Sequence, residues 1–244
     1  NSQGNVMLGD SIIPGDFSKL VLIKLSSKGE IKWLFTSDYG KLPYAMTPDR
    51  QGNIFLVGRG PDPGPFAPGI NIQPGNYLAK LDSNGNVQWA KVLTPFHYIS
   101  KPEAISVDDN GHIYIGGWFE DSTLIANQTL LSNNISGQTG FIVKLDAMGS
   151  FQWAKKLNSY WGDAVRAIKY INGNIYITGS GSDSLVIGSD TLFSLQGGEF
   201  GFIARFDIDG NALWGRTAAC KYGFKMHGLA INQSATQLYV TGFF

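Results

Sequence analysis

Acidic turns, histidines and aromatic loops are the residues whose types could carry chemistry in this chain, and each has an ordinary structural use beside it. The stretches DSNGN at Asp82 and DDNGH at Asp108 have the look of calcium loops. A helix–loop–helix calcium site needs a bidentate Glu at its twelfth position. Counting from Asp82 reaches Leu93, and from Asp108 reaches Phe119. Tight turns, which favour Asp at the first position and Gly at the fourth, account for both stretches. His97, His112 and His227 lack the His-x-x-His or Cys-His spacing of a zinc site, and His112 reads as a turn residue. Cys220 is the single cysteine, so neither an intrachain disulfide nor a Cys-based metal site can form. There is no Gly-x-Ser-x-Gly elbow, and the run Gly179-Ser180-Gly181-Ser182 lacks the Lys and the helix of a phosphate loop. Glu120-Asp121 could serve glycoside hydrolysis only with a second carboxylate at a set separation, which no spacing supplies. No catalytic residue, metal ligand or cofactor is therefore expected. The aromatic set Tyr39, His97, Tyr98, Trp118, Tyr160, Trp161 and Tyr222 remains. Rings with polar tips stack on sugars or anchor a protein partner, or they simply cap strand ends.

The elements that position these residues recur. The stretch 140–157, GFIVKLDAMGSFQWAKKL, is a β-rich run, an Asp-x-x-Gly turn and a second run alternating around Trp153. It reads as a β-hairpin with one buried Trp. Its counterparts start at Leu20, Asn76 and Gly201, placing Trp33, Trp89, Trp153 and Trp214 at spacings of 56, 64 and 61 residues. A second element, Gly-x-apolar-aromatic-apolar-x-Gly, appears as GNIFLVG (52–58), GHIYIGG (111–117) and GNIYITG (173–179), as GNVMLG (4–9), and in frayed form as QLYVTG (237–242). A further strand precedes most of these, at 44–47, 104–107, 164–169 and 227–231.

Each repeat thus holds four short antiparallel strands, A to D, and a period near sixty marks a modular β array. Four-stranded sheets repeated about an axis are the blades of a β-propeller. The expected fold is all-β, a single β-propeller region over 1–244 with repeats at about 1–36, 42–93, 102–157, 163–217 and 226–244. The A–B and C–D turns are short and stereotyped and share one face. The long B–C excursions, at 59–74, 118–139 and 180–200, share the other face with the aromatic D–A connections. Variation and exposed rings on one face place function there.

Composition sets the outer bounds. With 31 Gly, 10 Pro and only 16% charged residues, the chain has many turns and few long exposed helices. Nineteen basic and nineteen acidic residues cancel, which disfavours nucleic acid and anionic membrane surfaces. No apolar run approaches the ~18 residues of a membrane span.

The residues Lys144, Leu145, Asp146, Gly149 and Trp153, followed by Gly173, Asn174, Ile175, Tyr176, Thr178 and Gly179, resemble the SBBP-type β-propeller repeat. That repeat is common in large secreted and surface proteins of Bacteroidota-like bacteria, and the resemblance runs over essentially the whole chain. The first repeat departs from it with Ser26 in place of Asp, and the last lacks the leading Gly-Asn of strand B. The resemblance implies a propeller and an extracellular or cell-surface setting, and it implies no particular ligand. Quinoprotein-type propellers share Asp…Gly-x-x-x-Trp with a turn one residue longer, and sialidase-type Asp-boxes place Gly three residues before the aromatic instead of four.

The expected function is a non-catalytic binding or scaffold module of an exported surface protein. Its protein or glycan partner would meet the long-loop face. The alternatives are a polysaccharide-acting enzyme with a site in the central channel and a quinoprotein-like assembly scaffold. Because the N-terminus would supply strands B to D and the C-terminus A and B, two B strands would compete in a four-blade ring. The chain is accordingly expected to belong to a larger propeller or a longer protein. Surface proteins of such bacteria carry O-linked sugar at Asp-Ser/Thr followed by a small or apolar residue, which nominates Ser11, Ser122, Ser184 and Thr191. Ordinary turn chemistry explains the same dipeptides. The Asn-x-Ser/Thr matches at Asn127, Asn134 and Asn232 are discounted in a bacterial setting.

Overall fold

The structure, a computed structural model, describes residues 6–8, 11–13, 19–60, 62–96, 98–132, 137–159, 162–194, 197–218 and 223–243. All regular elements among them are strands. The first are β1 (Val6–Leu8), β2 (Ser11–Ile13), β3 (Lys19–Leu25) and β4 (Ile31–Tyr39). The next repeat holds β5 (Leu42–Pro48), β6 (Ile54–Gly60), the excursion pair β7 (Gly64–Ala67) and β8 (Ile70–Ile72), then β9 (Gly75–Leu81) and β10 (Val87–Pro95). The third repeats this as β11 (Ser100–Val107), β12 (Ile113–Phe119), β13 (Ser122–Ile125), β14 (Gln128–Leu131), β15 (Thr139–Leu145) and β16 (Phe151–Lys156). After β17 (Asn158–Ser159) come β18 (Asp163–Ile171), β19 (Asn174–Ser182), β20 (Ser184–Ile187), β21 (Asp190–Phe193), β22 (Glu199–Asp207) and β23 (Ala212–Ala218). The chain closes with β24 (Lys225–Ile231) and β25 (Leu238–Phe243).

Three complete antiparallel sheets result, each ordered D-C-B-A: β10-β9-β6-β5, β16-β15-β12-β11 and β23-β22-β19-β18. Two half-sheets flank them, β3–β4 with strands C and D and β24–β25 with strands A and B. The segment expected as the first strand B, β1, pairs with β2.

One turn design joins most hairpins. At Asp49, Asp82, Asp108, Asp146 and Asp207, Oδ1 accepts the backbone N–H groups two and four residues on. These carboxylates are spent on their own turns, which is the physical reason they sit in the sequence. Where Asp is missing, a shorter acceptor substitutes: the Ser26 hydroxyl takes the N–H groups of Lys28 and Glu30. The Asn232 amide oxygen does the same for Thr236 and Gln237.

The turn at Asp108 is the most heavily tied. Besides the N–H groups of Asn110 and His112, its carboxylate meets His112 Nδ1 at 2.8 Å and the buried Tyr114 hydroxyl at 3.1 Å. Asp108→Ala would strand that hydroxyl and two turn amides, so a loss of about 2 kcal/mol is expected at typical hydrogen-bond values. Asp108→Asn, which keeps one acceptor oxygen, should lose less. Urea denaturation of the two variants checks this, and equal losses would refute the hydrogen-bond account.

The core lies between sheets and not within one. One apolar cluster joins β3–β4 to the β5 sheet through Leu20, Leu22, Phe66 and Tyr77. The next joins the β5 and β11 sheets through Phe55, Leu78, Ile115 and Phe141, and the third joins the β11 and β18 sheets through Tyr114, Ile142, Ile177 and Phe202. Trp33, Trp89 and Trp153 each pack at the edge of one such cluster. Their rings also reach the following sheet's C–D turn. Trp33 Nε1 donates to Ser83 O at 2.9 Å and Trp153 Nε1 to Ile208 O at 3.1 Å, while Trp89 lies against Gly149. At the opposite edge, the A strands contact in series: β5 with β11, β11 with β18, and β18 with β24.

Candidate functional site

The A strands are irregular at one matching place. In β5 the register runs Pro43↔Gly58 and then Ala45↔Val57, leaving Tyr44 without an opposite residue. The same slip leaves out Glu103 in β11, Arg166 in β18 and His227 in β24. A bulge of this kind re-aims the extra side chain away from the sheet alternation. Its cause is visible on strand B, where Gly58, Gly117, Gly179 and Gly242 face the bulge. A Cβ on any of these would stand 1.9–2.2 Å from a carbonyl oxygen of strand A.

The four bulge residues line one cavity of about 390 Å³, together with Pro43 and Lys101. Glu103 is its electrostatic hub. Its carboxylate meets Arg166 at 2.5 Å and Lys101 at 2.9 Å, and it accepts Trp118 Nε1–H at 3.3 Å. Lys101 also stands 5.1 Å from the centre of the Tyr44 ring, and His227 stacks on Phe243 at 5.2 Å. Burial pushes the Glu103 carboxyl up. The hydrogen bond from Lys101 and the charge and hydrogen bond of Arg166 outweigh it, holding the group below the ordinary carboxylate range. Arg166 is shared with a second, more polar cavity of about 320 Å³ that includes Gln138, Asp163, Ser182 and the ion pair Glu199–Lys225 at 2.9 Å. Pro43, Lys101, Asp163 and Lys225 all lie at the starts of A strands, so both cavities open beside the D–A connections.

Of the aromatic set, Trp118 joins this cluster directly. Tyr98 is half-buried, its N–H donating to Pro95 O. Tyr39 ends β4. His97, Tyr160, Trp161 and Tyr222 lie outside the described residues, as does Cys220. Ser122 and Ser184 open β13 and β20 and are half-buried, Thr191 in β21 is exposed, and Ser11 opens β2. The residues before Ser122 and Ser184, Asp121 and Asp183, have φ of 52° and 64°. Asp tolerates this left-handed conformation better than most residues, so a backbone reason exists for those two Asp-Ser dipeptides. Asp190, before Thr191, accepts from Gly215 N–H and Arg216.

Tyr44, Glu103 and Arg166 escape a reading based on loop aromatics because they sit inside strands. The signal that could find them is a polar residue immediately before a small one at a matching place in each A strand: Tyr44-Ala45, Glu103-Ala104, Arg166-Ala167 and His227-Gly228. Among the described residues no group of three or more His, Cys, Asp or Glu side chains is placed to hold a metal ion. No known family model matches the chain, and no curated protein matches it.

Proposed function

We propose that the sheets are blades of a β-propeller of SBBP type. On this reading the chain is a non-catalytic binding or scaffold module of an exported surface protein, and its long-loop face receives a protein or glycan partner. The observation that carries the proposal is the bulge quartet. Four equivalent strands each spend a backbone irregularity to aim one side chain at a common cavity, and the four side chains differ: Tyr44, Glu103, Arg166 and His227. A purely structural position in a repeat would keep one residue type. Difference on a repeated scaffold suits recognition of an asymmetric partner.

Glu103 and His227 beside one cavity favour a second reading, an enzyme acting on polysaccharide. General acid–base work wants a carboxyl tuned upward toward neutrality. Glu103 is tuned the other way by Lys101 and Arg166, which supports binding over catalysis.

The test is a glycan and surface-protein binding screen on the wild type and on Tyr44→Ala/Trp118→Ala, which leaves the Glu103–Arg166 pair in place. Tenfold or greater weakening is expected for any ligand bound at the quartet, since two stacking or anchoring rings are removed. Unchanged binding would move the site to the outer loops, where Tyr98→Ala/Trp161→Ala becomes the informative variant. Depolymerisation of a screened polysaccharide that Glu103→Gln abolishes would establish the enzyme instead.

A further inference from the structure

We propose that Asn172 is a site of spontaneous deamidation and isomerisation, set apart by its turn from the chain's other two Asn-Gly dipeptides, Asn84-Gly85 and Asn110-Gly111. The reaction is internal. The Gly173 backbone nitrogen bonds to Asn172 Cγ, the Cγ–Nδ2 bond breaks, and the departing nitrogen takes the amide proton and leaves as ammonia. Water then opens the resulting succinimide, its hydroxyl going to the attacked carbonyl and its proton to the Gly173 nitrogen. Opening at the side-chain carbonyl gives Asp. Opening at the main-chain carbonyl gives isoaspartate, whose backbone runs through Cβ and Cγ. Glycine in the second position leaves the attacking nitrogen unshielded, so all three dipeptides are chemically competent.

Exposure does not separate them, because all three Asn side chains are exposed. The backbone does. Asn84 and Asn110 sit in Asp-x-x-Gly turns, where Gly85 N–H donates to Asp82 O and Gly111 N–H to Asp108 O, both at 3.0 Å. The N–H of each Asn is held as well, by Asp82 Oδ1 and Asp108 Oδ1 at 2.9 Å. Both glycines are also seated against a neighbour. An added Cβ would stand 2.9 Å from the Trp33 ring at Gly85 and 3.2 Å from Ala147 at Gly111. Attack requires the glycine nitrogen to leave its acceptor and swing toward Cγ, which this seating resists.

Strands β18 and β19 are joined differently. Ile171 pairs directly with Asn174, so Asn172 and Gly173 are the whole loop, with φ of 49° and 75°. This two-residue turn suits the twist of the strands. Among the described residues Gly173 N–H has no hydrogen-bond partner, and an added Cβ there would meet nothing within 4 Å. Asn172 Nδ2 reaches Gln233 O at 3.5 Å, the outer limit of a hydrogen bond, and the atom held is the leaving nitrogen.

The products act where they form. Asn172 lines a cavity of about 290 Å³ with Asp49, Asp108, Asp109 and Arg50. Asp49 and Asp108 hold the amides of their own turns, and Arg50 is paired with Asp109 at 2.7 Å. A carboxylate at 172 would therefore join three others, with no unpaired cation among the described lining residues. Isoaspartate does more, because it lengthens the backbone of a loop whose length fixes the register of β18 against β19. That register sets Val165 opposite Gly179, beside the Arg166 bulge. The chemistry needs only this hairpin and holds whether or not the sheets form a ring.

The test uses the unaltered protein, kept native in warm, mildly alkaline buffer and sampled over time. Peptide mapping by mass spectrometry reads the exchange of an amino group for a hydroxyl at each Asn. Methyl transfer by an isoaspartyl methyltransferase reads the isomerised product. Conversion at Asn172 should outpace that at Asn84 and Asn110 by about fivefold or more, the rate equivalent of one ordinary hydrogen bond. In concentrated urea the turns are lost and the three rates should converge. Equal native rates, faster conversion in either Asp-x-x-Gly turn, or an Asn172 that stays intact would overturn the proposal. A preference for Asn172 that persists undiminished in urea would also overturn it, since flanking sequence and not the turn would then set the rate.

Discussion

Gly179→Ala is expected to destabilise the protein by about 3 kcal/mol or more, a fall in Tm of roughly 10 °C for a chain of this size. The added Cβ would stand 1.9 Å from the carbonyl oxygen of Ala164, and about 3.1 Å from the Phe202 ring. A flexible side chain could swing away from such a contact. The Ala164 carbonyl is backbone, fixed between β18 and β19, so relief requires moving the strand. The nearest slack is the bulge at Arg166, and using it would turn that side chain out of the cavity. The variant should therefore lose Arg166-dependent binding along with stability. Gly198→Ala is the matched control, since its added Cβ meets nothing within 4 Å and its φ is not in the left-handed range. It should be neutral or slightly stabilising through the unfolded chain. Thermal unfolding of the pair decides the matter. Equal midpoints would mean that strand A is not held against strand B as described.

That same close approach marks where the sequence was legible and where it was not. The hairpins could be read because their cause is local: an Asp carboxylate gathering two amides of its own turn leaves a motif visible in five contiguous residues. Even the substitutes, Ser26 and Asn232, preserve a side-chain acceptor. Strands A to D fell close to their expected places for the same reason. The aromatic residues of the long-loop face were also visible, but visibility of a ring says nothing about its neighbours, and among those of the set that the structure describes it is Trp118, at the end of strand B, that reaches the charged cluster.

The bulge quartet depends on alignment between strands. A β-strand reads as alternation, and one extra residue inverts that alternation for half its length. Arg166 therefore looks like an ordinary outward-facing residue until Val165↔Gly179 and Ala167↔Thr178 are both known. Glycine at the end of strand B was legible as a terminator. Its closer role, admitting the carbonyl of strand A, belongs to tertiary structure. The fate of β1 was equally hidden, because its pattern matches strand B while its partner is the neighbouring β2.

Arg166→Met is expected to cost about 2–3 kcal/mol at pH 7, with the loss shrinking as the pH is lowered toward 4. Glu103 is nearly buried, its side chain 10% exposed, and Arg166 supplies its closest counter-charge. Removing one member of such a pair leaves a charge that has been taken out of water without its compensation. The remaining Lys101 and Trp118 contacts keep the figure below that of a fully orphaned ion. The sign with pH follows from what sets the Glu103 carboxyl. In the native protein it is held below its ordinary range of about 4.3, so its contribution is present above that range and is lost as pH falls through the lowered value. Without Arg166, Lys101 is the one counter-charge left against burial, beside the Trp118 N–H, and the carboxyl moves upward instead. Protonation then relieves the variant, which gains relative to the native protein on acidification. Urea denaturation at pH 7 and pH 4, with the Glu103 titration followed by carboxyl NMR, reads both effects. Arg166→Lys should recover part of the loss, since it restores charge without the planar fork. A cost that is the same at both pH values, with Glu103 titrating where it did before, would show that Arg166 acts by packing and that the charge pair does not hold the quartet together.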